Sequence, residues 1–159
     1  VNLFTAILAS AVIYLFQETI DEVVYLAVLM PIVANMGGVA GTQTLTLVIR
    51  SMALGHISAS NSRWLLVREL GVAAINGIIW ASLISIIAFL WYQDLKISYI
   101  IAGAMMINLI TAALAGAYLP IFLKRIAIDP VLAGSVVLTT VTDSIGFFAF
   151  LGLAQIFYV

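Results

Sequence analysis

The sequence contains no cysteine and a single histidine, His56, in 159 residues. Disulfide bonds and thiol catalysis are therefore excluded, and a Cys/His zinc cluster lacks the ligands that it needs. Charged residues are also scarce, at 8% of the chain, whereas roughly a quarter of the residues in a soluble domain are charged. A chain with so few charges lacks the polar groups to cover a water-facing surface.

Several functional classes are disfavoured by what else is missing. The net charge is −1, and there is no block of basic residues of the kind that binds nucleic acid. The sequence shows no Ser/His pair, no paired catalytic carboxylates and no HExxH motif, so we do not expect an enzyme. No basic region precedes the apolar N-terminal run, and we therefore do not interpret that run as a signal peptide.

Apolar residues, in contrast, make up 65% of the chain, which suits lipid as the surrounding solvent. A membrane-spanning helix needs about 20 mostly apolar residues. Five stretches qualify as predicted spans, although the first is short: residues 2–16, 23–54, 71–92, 97–123 and 131–157. We expect an all-α polytopic membrane protein whose residues 1–159 form a single transmembrane domain.

The basic residues predict how the chain is oriented in the membrane. Five of the six lie in or beside the connections after the second and fourth predicted spans: Arg50, Arg63, Arg68, Lys124 and Arg125. Because cytoplasmic loops carry the excess of Lys and Arg, these two connections are predicted to be cytoplasmic. We therefore expect a multi-pass protein of the plasma (inner) membrane with its N-terminus in the cytoplasm and its C-terminus outside. Residues 58–69 are predicted to include a short surface helix.

The second predicted span is longer than a membrane requires. Residues 23–54 would reach about 48 Å as one helix, whereas the hydrocarbon core is about 30 Å thick. The span must tilt, break or project from the bilayer, and Pro31 and the nearby glycines provide places to bend. Unwound backbone at membrane depth is tolerated only where it is buried or lines a wet cavity, so this span is a candidate for lining a pore.

Asp143 is the strongest single indication of chemistry. It lies near the centre of the fifth predicted span, whereas the other acidic residues lie in or beside predicted connections. A carboxylate at that depth costs roughly 2.5–3.5 kcal/mol, and no basic residue lies near the centre of a predicted span to pair with it. The group must be protonated, hydrated or neutralised by a cation. We predict a cation or proton site, and the alternative is a neutral acid bonded to neighbouring helices.

Two sets of small and polar residues are predicted to line the path of the ion. The first set falls on or beside the face of Asp143 at helical spacing: Ser135, Thr139, Thr142 and Gly146. The second set recurs along the second predicted span: Asn35, Gly38, Thr42, Gln43 and Thr46. Hydroxyl and carbonyl oxygens are hard ligands for cations. Ser and Thr also serve as packing contacts between membrane helices, and that alternative remains open.

Other polar residues carry weaker predictions. Glu18, Asp21 and Glu22 are possible peripheral cation contacts at an entrance, and a solvated acidic loop is the plainer interpretation. Asp129 precedes a proline and is expected to cap the fifth predicted span, with a peripheral cation contact as the alternative. Asn108 in the fourth predicted span is expected to form a hydrogen bond between helices.

Two segments together resemble a known family. Residues 31–55, PIVANMGGVAGTQTLTLVIRSMALG, resemble the second transmembrane helix of the MgtE magnesium transport family, and residues 129–147, DPVLAGSVVLTTVTDSIGF, resemble its last helix. The order and spacing of the predicted spans match across essentially the whole chain. One position departs from the family pattern, because Val39 stands where an asparagine is common, with Asn35 one helical turn earlier.

The resemblance implies a homodimer whose pore runs along the dimer axis between the second and fifth spans of both copies. Asp143 occupies the place of the acidic residue that holds the selected Mg²⁺, which is both the transported ion and the metal at the site. No organic cofactor is expected, and the expected partners are a second copy, divalent cations and the lipid bilayer. The regulatory cytoplasmic domains typical of the family are expected to lie outside this chain.

The expected function is therefore a channel or transporter domain that conducts Mg²⁺ down its electrochemical gradient. One alternative is a secondary transporter that exchanges Mg²⁺ for Na⁺ or H⁺. The other is a structural membrane subunit that transports nothing.

Overall fold

The computed structural model describes residues 1–57 and 61–158. All regular secondary structure in that part of the chain is α-helical, as the composition predicts. There are six helices in the described ranges: α1 (Asn2–Leu15), α2 (Gln17–Glu22), α3 (Tyr25–Ala53), α4 (Ser62–Tyr92), α5 (Leu95–Arg125) and α6 (Pro130–Tyr158).

Four helices of the described chain, α3 to α6, are long and apolar enough to cross a membrane. Each has between 29 and 31 residues, which corresponds to about 45 Å of helix. Helix α1 is apolar but has only 14 residues, or about 21 Å, which is less than the hydrocarbon thickness. The predicted layout of five spans therefore remains a prediction.

Helix α5 is the centre of the bundle and contacts α3, α4 and α6. Small residues on α5 allow the neighbouring backbones to approach closely. A Cβ atom on Gly116, for example, would lie 2.7 Å from the carbonyl oxygen of Gly41 in α3. The apolar core extends from this helix to its three partners and includes Leu29 of α3, Ala88 of α4, Ile101 of α5 and Phe150 of α6, all fully buried.

Helix α3 runs without interruption from Tyr25 to Ala53, although it contains Pro31. Two of its three glycines serve contacts between helices. Gly37 lies against Asn108 of α5, and a Cβ atom on Gly41 would lie 3.0 Å from Leu138 of α6. A continuous helix of this length accommodates the membrane by tilting or by projecting beyond it, since the described backbone contains no break.

The structure corrects the start of the third predicted span. Helix α4 begins at Ser62, nine residues before the predicted boundary at residue 71. The polar residues at its start do not end the helix, because Leu65, Glu69 and Ala73 recur at four-residue spacing and are all buried. The helical part of the predicted surface segment 58–69 is thus the start of α4, and residues 58–60 lie outside the described residues.

Candidate cation site

Asp143 lies on one side of α6 in a stripe with Ser135 and Thr139, because the three residues are spaced four apart. Ser135 and Thr139 are exposed, and Asp143 is half-buried. The two other residues predicted for this face, Thr142 and Gly146, are buried in the bundle instead. Three of the five predicted residues on α6 therefore share an accessible stripe, and two pack against neighbouring helices.

The hydroxyl of Thr139 is oriented by its own helix. Its Oγ1 donates to the carbonyl oxygen of Ser135 over 2.9 Å. This back-bonding uses the hydroxyl proton and leaves the oxygen lone pairs to accept other hydrogen bonds. Water bound to a cation donates hydrogen bonds, so an acceptor of this kind one turn from Asp143 suits a hydrated ion.

Asp143 lies on the flank of α6 that is turned away from an apolar cavity beside α5. The buried stripe of α6 contacts α3, where Leu138 meets Gly41. Val141 and Ile145 lie on the opposite flank and border α5 around an apolar cavity of about 500 Å³. Because Asp143 is two residues from each of them, it lies about 200° around the helix, away from that cavity.

The predicted polar residues of α3 form a second accessible face. Four of them are exposed and Gly38 is half-buried: Asn35, Thr42, Gln43 and Thr46. The opposite side of the helix, with Val33, Gly37 and Gly41, is buried in the core. A polar face on a membrane-length helix requires water or protein rather than lipid beside it.

Asn108 of α5 lies at the junction between α3 and α6. Its side chain is fully buried, and its Nδ2 donates to the carbonyl oxygen of Val33 in α3 over 2.7 Å. This bond confirms the predicted role of Asn108 as a partner between helices. The same side chain fills the space beside Gly146 of α6, where a Cβ atom would lie 2.8 Å from Nδ2. Asn108 therefore touches both helices that carry the accessible polar faces.

The Asp143 carboxyl group receives no hydrogen bond or ion pair from residues 1–57 or 61–158. A neutral acid bonded to neighbouring helices would need such a partner within the bundle. In the described part of the chain, no three His, Asp or Glu side chains are grouped as a metal site would require. One chain thus offers a single carboxylate at this stripe, and the remaining oxygens around a cation there must come from neutral groups, from water or from another copy.

The peripheral acidic residues are separate from this stripe. Glu18, Asp21 and Glu22 are exposed on the short helix α2. Asp129 caps α6, as predicted, because its Oδ1 accepts a hydrogen bond from the backbone nitrogen of Val131 over 2.9 Å. Their role as cation contacts remains a prediction.

Two structural features have no counterpart among the sequence predictions. Glu69 belongs to a predicted connection, yet it is a buried residue of α4 and accepts a hydrogen bond from Thr44 of α3. The four-residue spacing of Leu65, Glu69 and Ala73 is the available signal. The second feature is a network around Asp94, whose members are distant in sequence and carry no local signal.

In that network, Asp94 Oδ2 accepts hydrogen bonds from the hydroxyls of Tyr25, over 2.7 Å, and of Tyr158. Its Oδ1 accepts one from the backbone nitrogen of Lys96. Partial burial opposes ionisation, but the tyrosine hydrogen bonds and Lys96 outweigh it and hold the pKa of Asp94 below its usual value. The network joins the start of α3, the α4–α5 connection and the end of α6.

A match to a known protein family includes the residues of both polar faces. A family model described as "MgtE: Divalent cation transporter" matches residues 30–153. Three curated relatives carry the name "Magnesium transporter MgtE". The protein from Bacillus subtilis is 28% identical over 155 residues, which are 98% of this chain and 34% of the relative.

The protein from Enterococcus faecalis is 26% identical over 155 residues, again 98% of this chain and 34% of the relative. The protein from Thermus thermophilus is 25% identical over 154 residues, which are 97% of this chain and 34% of the relative. The chain thus spans about a third of the length of the curated relatives that it matches.

Proposed function

Because this chain belongs to the MgtE family of divalent cation transporters, we propose that it is the membrane domain through which Mg²⁺ crosses the bilayer. The observation that carries the proposal is Asp143, a half-buried carboxylate in a membrane-length helix without a bonding partner among the described residues. A carboxylate in that position is most simply neutralised by the transported cation itself. Mg²⁺ is the ion in this proposal because the three relatives are named magnesium transporters.

The domain works as a homodimer in this proposal, with the polar faces of α3 and α6 turned toward the two-fold axis. A second copy would cover the exposed polar residues of α3 and would bring a second Asp143 to the axis. Two facing carboxylates supply up to two negative charges. A divalent cation cancels both, whereas a monovalent cation cancels one, so the pair favours divalent ions.

The proposed membrane topology follows the distribution of Arg and Lys along the chain. Helix α1 forms the first of five spans, the N-terminus lies in the cytoplasm and the C-terminus lies outside. The connections rich in Arg and Lys then face the cytoplasm of the inner membrane.

The ion passes in a largely hydrated form, because Mg²⁺ prefers octahedral oxygen geometry and loses water reluctantly. The carboxylate of Asp143 accepts hydrogen bonds from water bound to the ion. Thr139, with its proton donated to Ser135, accepts another, so the stripe on α6 orients the hydration shell. The membrane potential favours inward movement by about 4.6 kcal/mol per 100 mV for a divalent ion, twice the value for one charge.

A flux assay with the purified chain in liposomes tests this function. We expect entry of Mg²⁺, detected by a trapped indicator, that requires only a Mg²⁺ gradient and increases when the lumen is made electrically negative. Flux that depends on an opposing Na⁺ or pH gradient would indicate an exchanger rather than a channel. Folded protein without any flux would leave a structural subunit as the remaining interpretation.

A further inference from the structure

A polar cavity of about 280 Å³ lies between α3, α4 and α5. It borders the polar face of α3 at Gln43 alone, because Thr44, which also lines it, is about 200° around the helix from Thr42 and Thr46. Five polar side chains contribute to its lining: Gln43, Thr44, Arg68, Glu69 and Asn76. The cavity is thus distinct from the stripe that carries Asp143.

Glu69 is the chemically significant residue of this cavity. Its side chain is only 8% exposed, and its Oε2 accepts a hydrogen bond from Thr44 over 3.3 Å, which is long for a hydroxyl donor. The only enclosed and unpaired side-chain atom in the described ranges is Oδ1 of Asn108. The second oxygen of Glu69 is therefore not enclosed by protein, and it opens onto the cavity.

The neighbouring positive charge does not neutralise Glu69. Arg68 lines the same cavity, but its guanidinium lies over the ring of Trp64, 5.5 Å from the ring centroid. Among the described residues no ion pair joins Arg68 to Glu69. A buried carboxylate in a membrane-length helix, with one long hydrogen bond and no ion pair, requires another source of positive charge.

We propose that this cavity is a second cation site, which holds a hydrated divalent cation against the carboxylate of Glu69. Thr44 supplies a hydroxyl oxygen, and Gln43 and Asn76 supply amide oxygens, all of which suit Mg²⁺ or the water bound to it. The volume is sufficient, because one water molecule occupies about 30 Å³.

The affinity of the site is low. A single carboxylate faces the ion, and the charge of Arg68 opposes binding. Sites with few charged ligands have dissociation constants on the order of a millimolar. The proposal of this site is based on the geometry around Glu69. Its occupancy does not depend on whether an ion passes along Asp143.

Binding of Mn²⁺ alone, followed by electron paramagnetic resonance of the free ion, tests the proposal in the detergent-solubilised chain. The titration is done in an Asp143→Asn background, which removes the carboxylate of the other proposed cation site. We expect one Mn²⁺ per chain that Mg²⁺ displaces and that Na⁺ at the same ionic strength does not. Adding Glu69→Gln should weaken this binding at least tenfold.

Two further variants decide the question if Glu69→Gln does not fold. Arg68→Gln should tighten Mn²⁺ binding several-fold by removing the opposing charge, and Thr44→Val should weaken it. Thr111→Val on α5 is the matched control for loss of a hydroxyl, since Thr111 bonds only to its own helix and lies outside this cavity.

Three results would overturn the proposal. The first is no Mn²⁺ binding at millimolar concentration in the Asp143→Asn background. The second is Mn²⁺ binding that Glu69→Gln leaves unchanged. The third is binding that neither Arg68→Gln nor Thr44→Val alters. Each can occur whether or not the wild-type chain transports Mg²⁺, so failure of this site is distinguishable from failure of the proposed function.

Discussion

Asn108 of α5 lies directly against Gly37 of α3, so closely that a Cβ atom on residue 37 would collide with its side-chain amide. The same amide donates to the carbonyl oxygen of Val33 and fills the space beside Gly146 of α6. Because α3 and α6 carry the two accessible polar faces, one side chain on the central helix sets the distance between them.

This contact predicts opposite outcomes for two adjacent glycines. Gly37→Ala should destabilise the fold by about 1–3 kcal/mol, the usual cost of overpacking a filled core. Gly38→Ala is the control, because a Cβ atom there meets nothing within 4 Å, and we expect no loss of stability. Unfolding in detergent measures both, and Gly37→Ala combined with Asn108→Ala should be more stable than Gly37→Ala alone. Equal stability of the two alanine variants would contradict the account.

The Asp94 network predicts a loss of stability in acid. The pKa of Asp94 is lower in the folded chain than its ordinary value near 4, so its contribution is complete above about pH 4 and is lost as the pH falls through the folded value. Unfolding measured between pH 3 and 7 should show this loss for the wild type and a smaller one for Asp94→Asn. Curves of the same shape for the two proteins would show that the network does not respond to pH.

The hydroxyl stripe on α6 predicts a graded effect on transport. Thr139→Val removes one acceptor for the hydration shell, and the loss of about 1 kcal/mol should reduce Mg²⁺ flux about fivefold. Thr140→Val is the control, because that hydroxyl bonds to the carbonyl oxygen of Val136 and lies outside the stripe. If both variants lose flux equally, the effect comes from helix packing and not from the ion.

The chain has no cysteine, so cysteines introduced one at a time can test the proposed dimer by cross-linking. A single cysteine at Thr42, on the polar face of α3, should form a disulfide with its counterpart in a second copy under mild oxidation. A cysteine at Ile75, which is 63% exposed on α4, should remain monomeric. Cross-linking at position 75 but not at 42 would place the interface on the other side of the bundle.

The features that depend on local pattern could be predicted from the sequence. The apolar runs mark the four membrane-length helices, and Asp143 is visible because it interrupts one of them. The predicted start of α4 is wrong because its charged residues suggest a connection, whereas Leu65 and Glu69 are buried together on one side of the helix. Charged residues in a short segment suggest that the segment is exposed. Whether a given side chain is buried depends on which neighbouring helix packs against its side of the helix.

Features built from distant residues could not be predicted in this way. Tyr25, Asp94 and Tyr158 come from three different helix ends, and only the packing of the bundle brings them together. Thr142 and Gly146 are buried, and Gly146 is covered by Asn108 of α5, which is distant in sequence. Helical spacing places them beside Asp143 but does not specify which flank of α6 is covered.

The most direct test of the central claim is Mg²⁺ flux into liposomes that carry Asp143→Asn, compared with the wild type and with Ser144→Ala. Asparagine keeps the size and hydrogen-bonding capacity of the side chain and removes its charge, and Ser144 is the adjacent half-buried residue outside the stripe. We expect flux to be lost in Asp143→Asn and retained in Ser144→Ala, with all three proteins folded. Wild-type flux in a folded Asp143→Asn protein would show that Asp143 is a structural acid and that the ion passes elsewhere.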